Sequence, residues 1–139
     1  MSSVTDHLRR IGLLSGCSDS DLALLGRAAD EVSLQSGSEL TRQGDIGREA
    51  FVLLAGRAEV VRDGTTVAHL GPGDVIGELS LLDGGPRSAT VVAQTDVDVL
   101  VLSRPAFAAV LDEIPTLAHR LLVALARRLR AAEDDPPGG

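Results

Sequence analysis

Ile76-Gly77-Glu78-Leu79-Ser80-Leu81-Leu82-Asp83-Gly84-Gly85-Pro86-Arg87-Ser88-Ala89-Thr90 is the most informative run in the chain. It combines a glycine lead-in, one short helical turn over 78–82, a Gly-Gly-Pro loop, and an arginine that opens a strand. That order builds an anion pocket. Gly77 has no Cβ, so its backbone can come close to a ligand. The free N–H groups at the start of a short helix, here those of Leu79 and Ser80, point outward and favour negative charge. Arg87 arrives from the far side with a planar fork of donors suited to a phosphate. Glu78 is the odd member. A carboxylate repels a phosphate unless it binds something neutral beside it, such as a sugar hydroxyl. An anion and a hydroxyl held side by side describe a nucleotide.

The segment from Gly77 to Ala89 resembles the phosphate-binding cassette of cyclic nucleotide-binding domains. That family occurs in kinase regulatory subunits, bacterial catabolite activators and gated channels. Its pattern is Gly-Glu-Leu-small-Leu, a short variable loop, then Pro-Arg-small-Ala. The chain matches it at Gly77, Glu78, Leu79, Ser80, Leu81, Pro86, Arg87, Ser88 and Ala89. The rest fits from about residue 13 to residue 131. The resemblance implies that Arg87 grips the exocyclic oxygens of a cyclic phosphate, with the amides of Leu79, Ser80 and Ser88 around it. It implies that Glu78, beside Gly77, accepts a hydrogen bond from the ribose 2′-hydroxyl. It also implies a β-roll whose C-terminal helices close over the pocket as a lid. Family members with threonine after the arginine favour cyclic GMP, so Ser88 points to cyclic AMP.

Outward from the cassette, the pattern supports this fold. From Glu31 to Ser103, runs rich in Val, Leu and Thr alternate with glycine turns. Eight strands are expected over 31–35, 39–42, 49–54, 58–62, 66–70, 74–76, 88–94 and 97–102. Asp63-Gly64 is the strongest hairpin signal among the turns. The expected class is α+β, mainly β: an eight-stranded β-roll or jelly roll with N-terminal helices, the cassette helix and two C-terminal helices. Leu79, Leu81 and Leu82 are expected to pack inward from the cassette. Gly44, Gly56 and Gly73 read as turn glycines.

The flanks are helical. Residues 5–15 hold an amphipathic piece with Leu8, Ile11, Leu13 and Leu14. Ser18 with Asp21 forms a capping box for a helix to about Ala29. Ser103 caps a helix whose first turn carries Pro105. Pro115 breaks it, and a last helix runs from about Thr116 to Ala132. Leu117, Leu121, Leu125 and Leu129 recur on it every four residues, beside Ala118 and Leu122, as a stripe for either the core or a partner. Arg128 lies on the edge of that stripe. It either snorkels over the core or, with Leu121, Leu125 and Ala89, meets the base. The domain is expected over 1–132, followed by a disordered acidic tail over 133–139.

Composition removes other classes. With 139 residues, one domain with one core is expected. A net charge of −7 gives no general attraction to nucleic acid or an anionic membrane. Aromatics are 1%, so Phe51 and Phe107 are packing residues, and bases are not stacked on rings. Cys17 is the single cysteine, which excludes an intrachain disulfide and suits a reducing cytoplasm. No signal peptide or membrane-length apolar run is visible. Of His7, His69 and His119 only His69 falls among the strands, which argues against a metal-binding cupin. No catalytic spacing stands out, so the chain is expected to be a sensor with no enzyme activity, metal or cofactor. A separate protein, or a second copy through the last helix, would carry its output; the alternatives are the ligand-binding part of a larger transcription regulator, whose helix-turn-helix is not in this sequence, or a ligand-free β-roll scaffold.

Overall fold

The computed structural model describes residue 8 and residues 12–134. Leu8 and a 3-10 turn, Gly12–Leu14, represent the first amphipathic piece, and Leu8 and Leu14 are buried. The rest of that piece before Gly12 lies outside the described residues. Ser18 then opens α1 (Asp19–Ala28). Its hydroxyl accepts from the Asp21 N–H at 3.1 Å, and the Asp21 carboxylate accepts from the Ser18 N–H at 3.1 Å. Two orphan donors of the helix start are thus satisfied reciprocally.

Eight strands follow among the described residues: β1 (Asp30–Leu34), β2 (Glu39–Thr41), β3 (Glu49–Ala55), β4 (Ala58–Arg62), β5 (Thr65–Leu70), β6 (Val75–Ile76), β7 (Thr90–Ala93) and β8 (Val97–Ser103). The cassette helix α2 (Glu78–Asp83) interrupts them after β6. They form two antiparallel four-stranded sheets, in the orders β1-β8-β3-β6 and β2-β7-β4-β5. This is the β-roll expected from the pattern. The β4–β5 hairpin turns on Asp63 and Gly64, at φ +52° and +80°. Positive φ at both central residues matches the right-handed twist of the flanking strands.

Strand β3 explains how one roll serves two cores. It is buried on both faces, and its side chains alternate between them. Phe51 and Leu53 pack inside the roll with Ala58, Ile76, Val91 and Val99. Ala50, Val52 and Leu54 face the other way, onto the helices. Both phenylalanines are buried packing residues, Phe51 in the first cluster and Phe107 in the second.

Ser103 caps α3 (Arg104–Glu113), accepting from the Ala106 N–H at 3.3 Å. After the buried Ile114, α4 (Pro115–Asp134) begins at the proline itself. Its backbone runs two residues past the expected end at Ala132, and residues 135–139 lie outside the described residues. The α4 stripe is divided. Leu117 and Leu121 are buried in the helix-side core, Leu125 packs partly against it, and Leu122 and Leu129 are exposed.

Candidate ligand-binding site

The cassette is held open by backbone geometry. Gly77 caps α2 at φ +82°, and Gly84 ends it at φ +73°. A Cβ at Gly77 would run into the Arg87 guanidinium, so only glycine fits there. Glu78 and Ser80 are buried on the inner side of α2. A six-residue helix has one inner face, and Glu78, Ser80 and the partly buried Leu81 take it. Leu79 and Leu82 are therefore exposed, at 43% and 48%, which corrects the inward packing expected for them.

Arg87 is buried, at 8% exposure. Its Nη1 donates to the Gly77 carbonyl at 3.0 Å and its Nη2 to the Glu49 carbonyl at 2.6 Å. Among the described residues no carboxylate forms an ion pair with it. Burial pushes its pKa down, Glu49 opposes this, Arg104 adds to the lowering, and Glu78 opposes it. A desolvated cation without a counter-ion is costly, and an incoming anion removes that cost.

The loop after β2 clamps the cassette and was missed from sequence. The Gly44 N–H donates to the Arg87 carbonyl at 2.9 Å, and the Arg87 N–H donates to the Asp45 carbonyl at 2.8 Å. Gly47 lies flat against the site: a Cβ there would sit 2.5 Å from the Ser80 Cβ and 3.0 Å from the Arg87 guanidinium carbon. Arg104 steadies the loop through the Gly47 carbonyl at 2.8 Å. A glycine in a polar loop carries no sign of this contact.

The Glu78 carboxylate, with its side chain 3% exposed, accepts from Arg128 Nη1 of α4 at 2.9 Å. Arg128 thus reaches the cassette, and Glu78 keeps acceptor capacity on its other oxygen. A cavity of about 350 Å³ opens between α2 and the inner faces of β4, β5 and β7. Its wall includes Gly77, Glu78, Leu79, Ser80, Arg87, Ser88, Ala89 and Arg128. That volume falls in the range of small-molecule sites. Leu121 and Leu125 do not line it; they border a neighbouring cavity of about 610 Å³ beyond the Glu78–Arg128 pair. The structure therefore brings together every residue expected at the phosphate and ribose, with Arg128 and Ala89, and leaves the two leucines apart. None of the helices among the described residues is long and apolar enough to cross a membrane.

The profile of the cyclic nucleotide-binding domain matches residues 31–113. The cyclic AMP receptor protein of Thermus thermophilus is 40% identical over 102 residues, covering 70% of this chain and 47% of that protein. The cAMP-dependent protein kinase regulatory subunit of Aspergillus niger is 34% identical over 115 residues, covering 81% of this chain and 28% of that protein. The crystal structure of the Thermus thermophilus catabolite activator protein superposes with a TM-score of 0.80 at 36% identity, covering 87% of this chain and 59% of that one. The chain thus spans about half the length, or less, of the curated relatives it matches.

Proposed function

The chain belongs to the cyclic nucleotide-binding domain family, and from that premise we propose that it is a non-enzymatic sensor that binds cyclic AMP in the 350 Å³ cavity. The observation that carries this is the buried Arg87, hydrogen-bonded to carbonyls and without a carboxylate partner among the described residues. In this reading the cyclic phosphate pairs with Arg87 and with the amides of Leu79, Ser80 and Ser88. The ribose 2′-hydroxyl donates to the Glu78 oxygen that Arg128 does not hold. The relatives named for cyclic AMP, and serine at position 88, favour adenine.

Arg128 gives the site its output. It links α4 to the residue that meets the ribose, so ligand binding and helix position are coupled. The ligand shifts α3 and α4 only by its differential affinity for the closed arrangement. The exposed Leu122 and Leu129 then offer the surface through which a downstream protein or a second copy senses that shift. The chain works in the cytoplasm in this reading.

A second reading is favoured by the partial coverage of the relatives: the same site acts as the ligand-binding part of a longer transcription regulator. A thermal-shift screen with cyclic AMP, cyclic GMP and linear AMP tests both, because a ligand that binds only the native state raises its melting temperature. Stabilisation by cyclic AMP with none by linear AMP is expected. No shift with any of the three would sink the proposal.

A further inference from the structure

Resting on that cyclic-nucleotide reading, we infer that Arg62 reads the purine edge, and that it reads guanine, so that cyclic GMP is a second ligand of this chain. Strand β4 alternates its side chains, which puts Ala58, Val60 and Arg62 on one face. Ala58 is buried in the roll, and Val60 and Arg62 line the cavity. With the phosphate at Arg87 and the sugar at Glu78, the base lies against the remaining wall. There Val60, Val67, Ala68, Leu70 and Val91 offer apolar contact and no side-chain hydrogen bond.

The other polar side chains of the wall are already committed. The Thr41 hydroxyl donates to the Ala89 carbonyl at 3.0 Å and accepts from the Val91 N–H at 3.2 Å. Arg128 holds Glu78. Ser80 and Ser88 belong to the cassette around the phosphate. Arg62 remains. Its Nε donates to the Ser88 carbonyl at 3.2 Å, which holds the guanidinium at the end of the cassette, on the wall it shares with Val60 and Val91. Its two terminal nitrogens have no protein partner among the described residues.

A guanidinium edge is a pair of donors. Guanine presents O6 and N7, a matching pair of acceptors. Adenine sets an amino donor beside N7 and turns one arm of the fork away. Arg62 therefore adds guanine affinity to a site whose Ser88 favours adenine. Lysine keeps the charge and loses the fork.

Titration calorimetry of the wild type, Arg62→Ala and Arg62→Lys with cyclic AMP, cyclic GMP and cyclic IMP tests this. Cyclic IMP keeps O6 and N7 and lacks the 2-amino group. The wild type is expected to bind all three. In both variants the affinity for cyclic GMP and cyclic IMP should fall, relative to cyclic AMP, by about tenfold or more. Equal losses for all three would mean that Arg62 acts only by holding Ser88, and would overturn the inference. So would a wild type that binds cyclic AMP and ignores cyclic GMP. Failure of the wild type to bind any of them is a different result: it removes the proposed function and this inference together.

Discussion

Arg87→Ala separates the arginine's structural work from its work on the ligand. The side chain has five N–H donors, and two of its terminal nitrogens are engaged, at the Gly77 and Glu49 carbonyls. Truncation leaves those acceptors without their donor and opens a hole beside Ser80. An unpaired buried acceptor costs about 1–3 kcal/mol. Removing a desolvated cation returns part of that. A net loss of about 2 kcal/mol is expected, or roughly 5–8 °C in melting temperature for a domain of this size. Binding should suffer more. Truncating one partner of a desolvated, hydrogen-bonded charge pair costs about 2–5 kcal/mol, roughly 30- to 4,000-fold in affinity. At a ligand concentration of 100 times the wild-type Kd, the wild type gains about 2.7 kcal/mol of stability and the variant under about 1 kcal/mol. Melting curves with and without cyclic AMP, paired with calorimetric titration, read both effects. A variant that melts lower yet binds within about threefold of wild type would refute the assignment of Arg87 to the phosphate. A variant that binds weakly and melts like wild type would refute its role in tying α2 to β3.

Gly47→Ala forces a methyl group against Ser80 and the Arg87 guanidinium; such overpacking costs about 1–3 kcal/mol. A lower melting temperature and weaker cyclic AMP binding are expected by the same two assays. Arg128→Ala leaves the buried Glu78 carboxylate without its cation. Because the arginine side chain is 59% exposed and solvent-screened, the expected cost is about 1–2 kcal/mol, with a drop in affinity that Arg128→Lys partly restores. Unchanged stability and affinity would detach α4 from the site. At Cys17, burial pushes the thiol pKa up, Asp21 adds to this and Arg120 opposes it. Its alkylation by iodoacetamide at neutral pH should therefore run slower than that of a free cysteine, and its rate should still be climbing with pH where that of a free thiol has levelled off.

The strands were legible because β-rolls announce themselves locally: period-2 runs end at glycines that need positive φ, as at Gly44, Gly56 and Gly73. The cassette was legible because its residues are contiguous. What escaped the sequence depends on facing. Leucine content says that α2 is apolar, not which of Leu79, Leu81 and Leu82 meets the core. The α4 stripe likewise hid its division, since Leu121 and Leu122 differ only by one step around a helix. Gly47 and Arg62 escaped for a related reason. Each looks like ordinary loop or strand-end chemistry until the roll folds it against a segment distant in sequence.

An acidic chain can hold an anion because the field that matters is local. Net charge is −7, yet exposed acids more than about 8–10 Å away are largely screened in physiological salt. Within the cavity the Glu78 charge is answered by Arg128, and Arg87 and Arg62 are left without carboxylates among the described residues. The residual charge facing a ligand is therefore positive. Because Arg87 is buried and its bonds are sheltered, the phosphate contact should weaken little as salt rises. The exposed Arg62 should lose more. Raising ionic strength is thus expected to erode cyclic GMP binding faster than cyclic AMP binding, and parallel salt dependences would place both purines beyond the reach of Arg62.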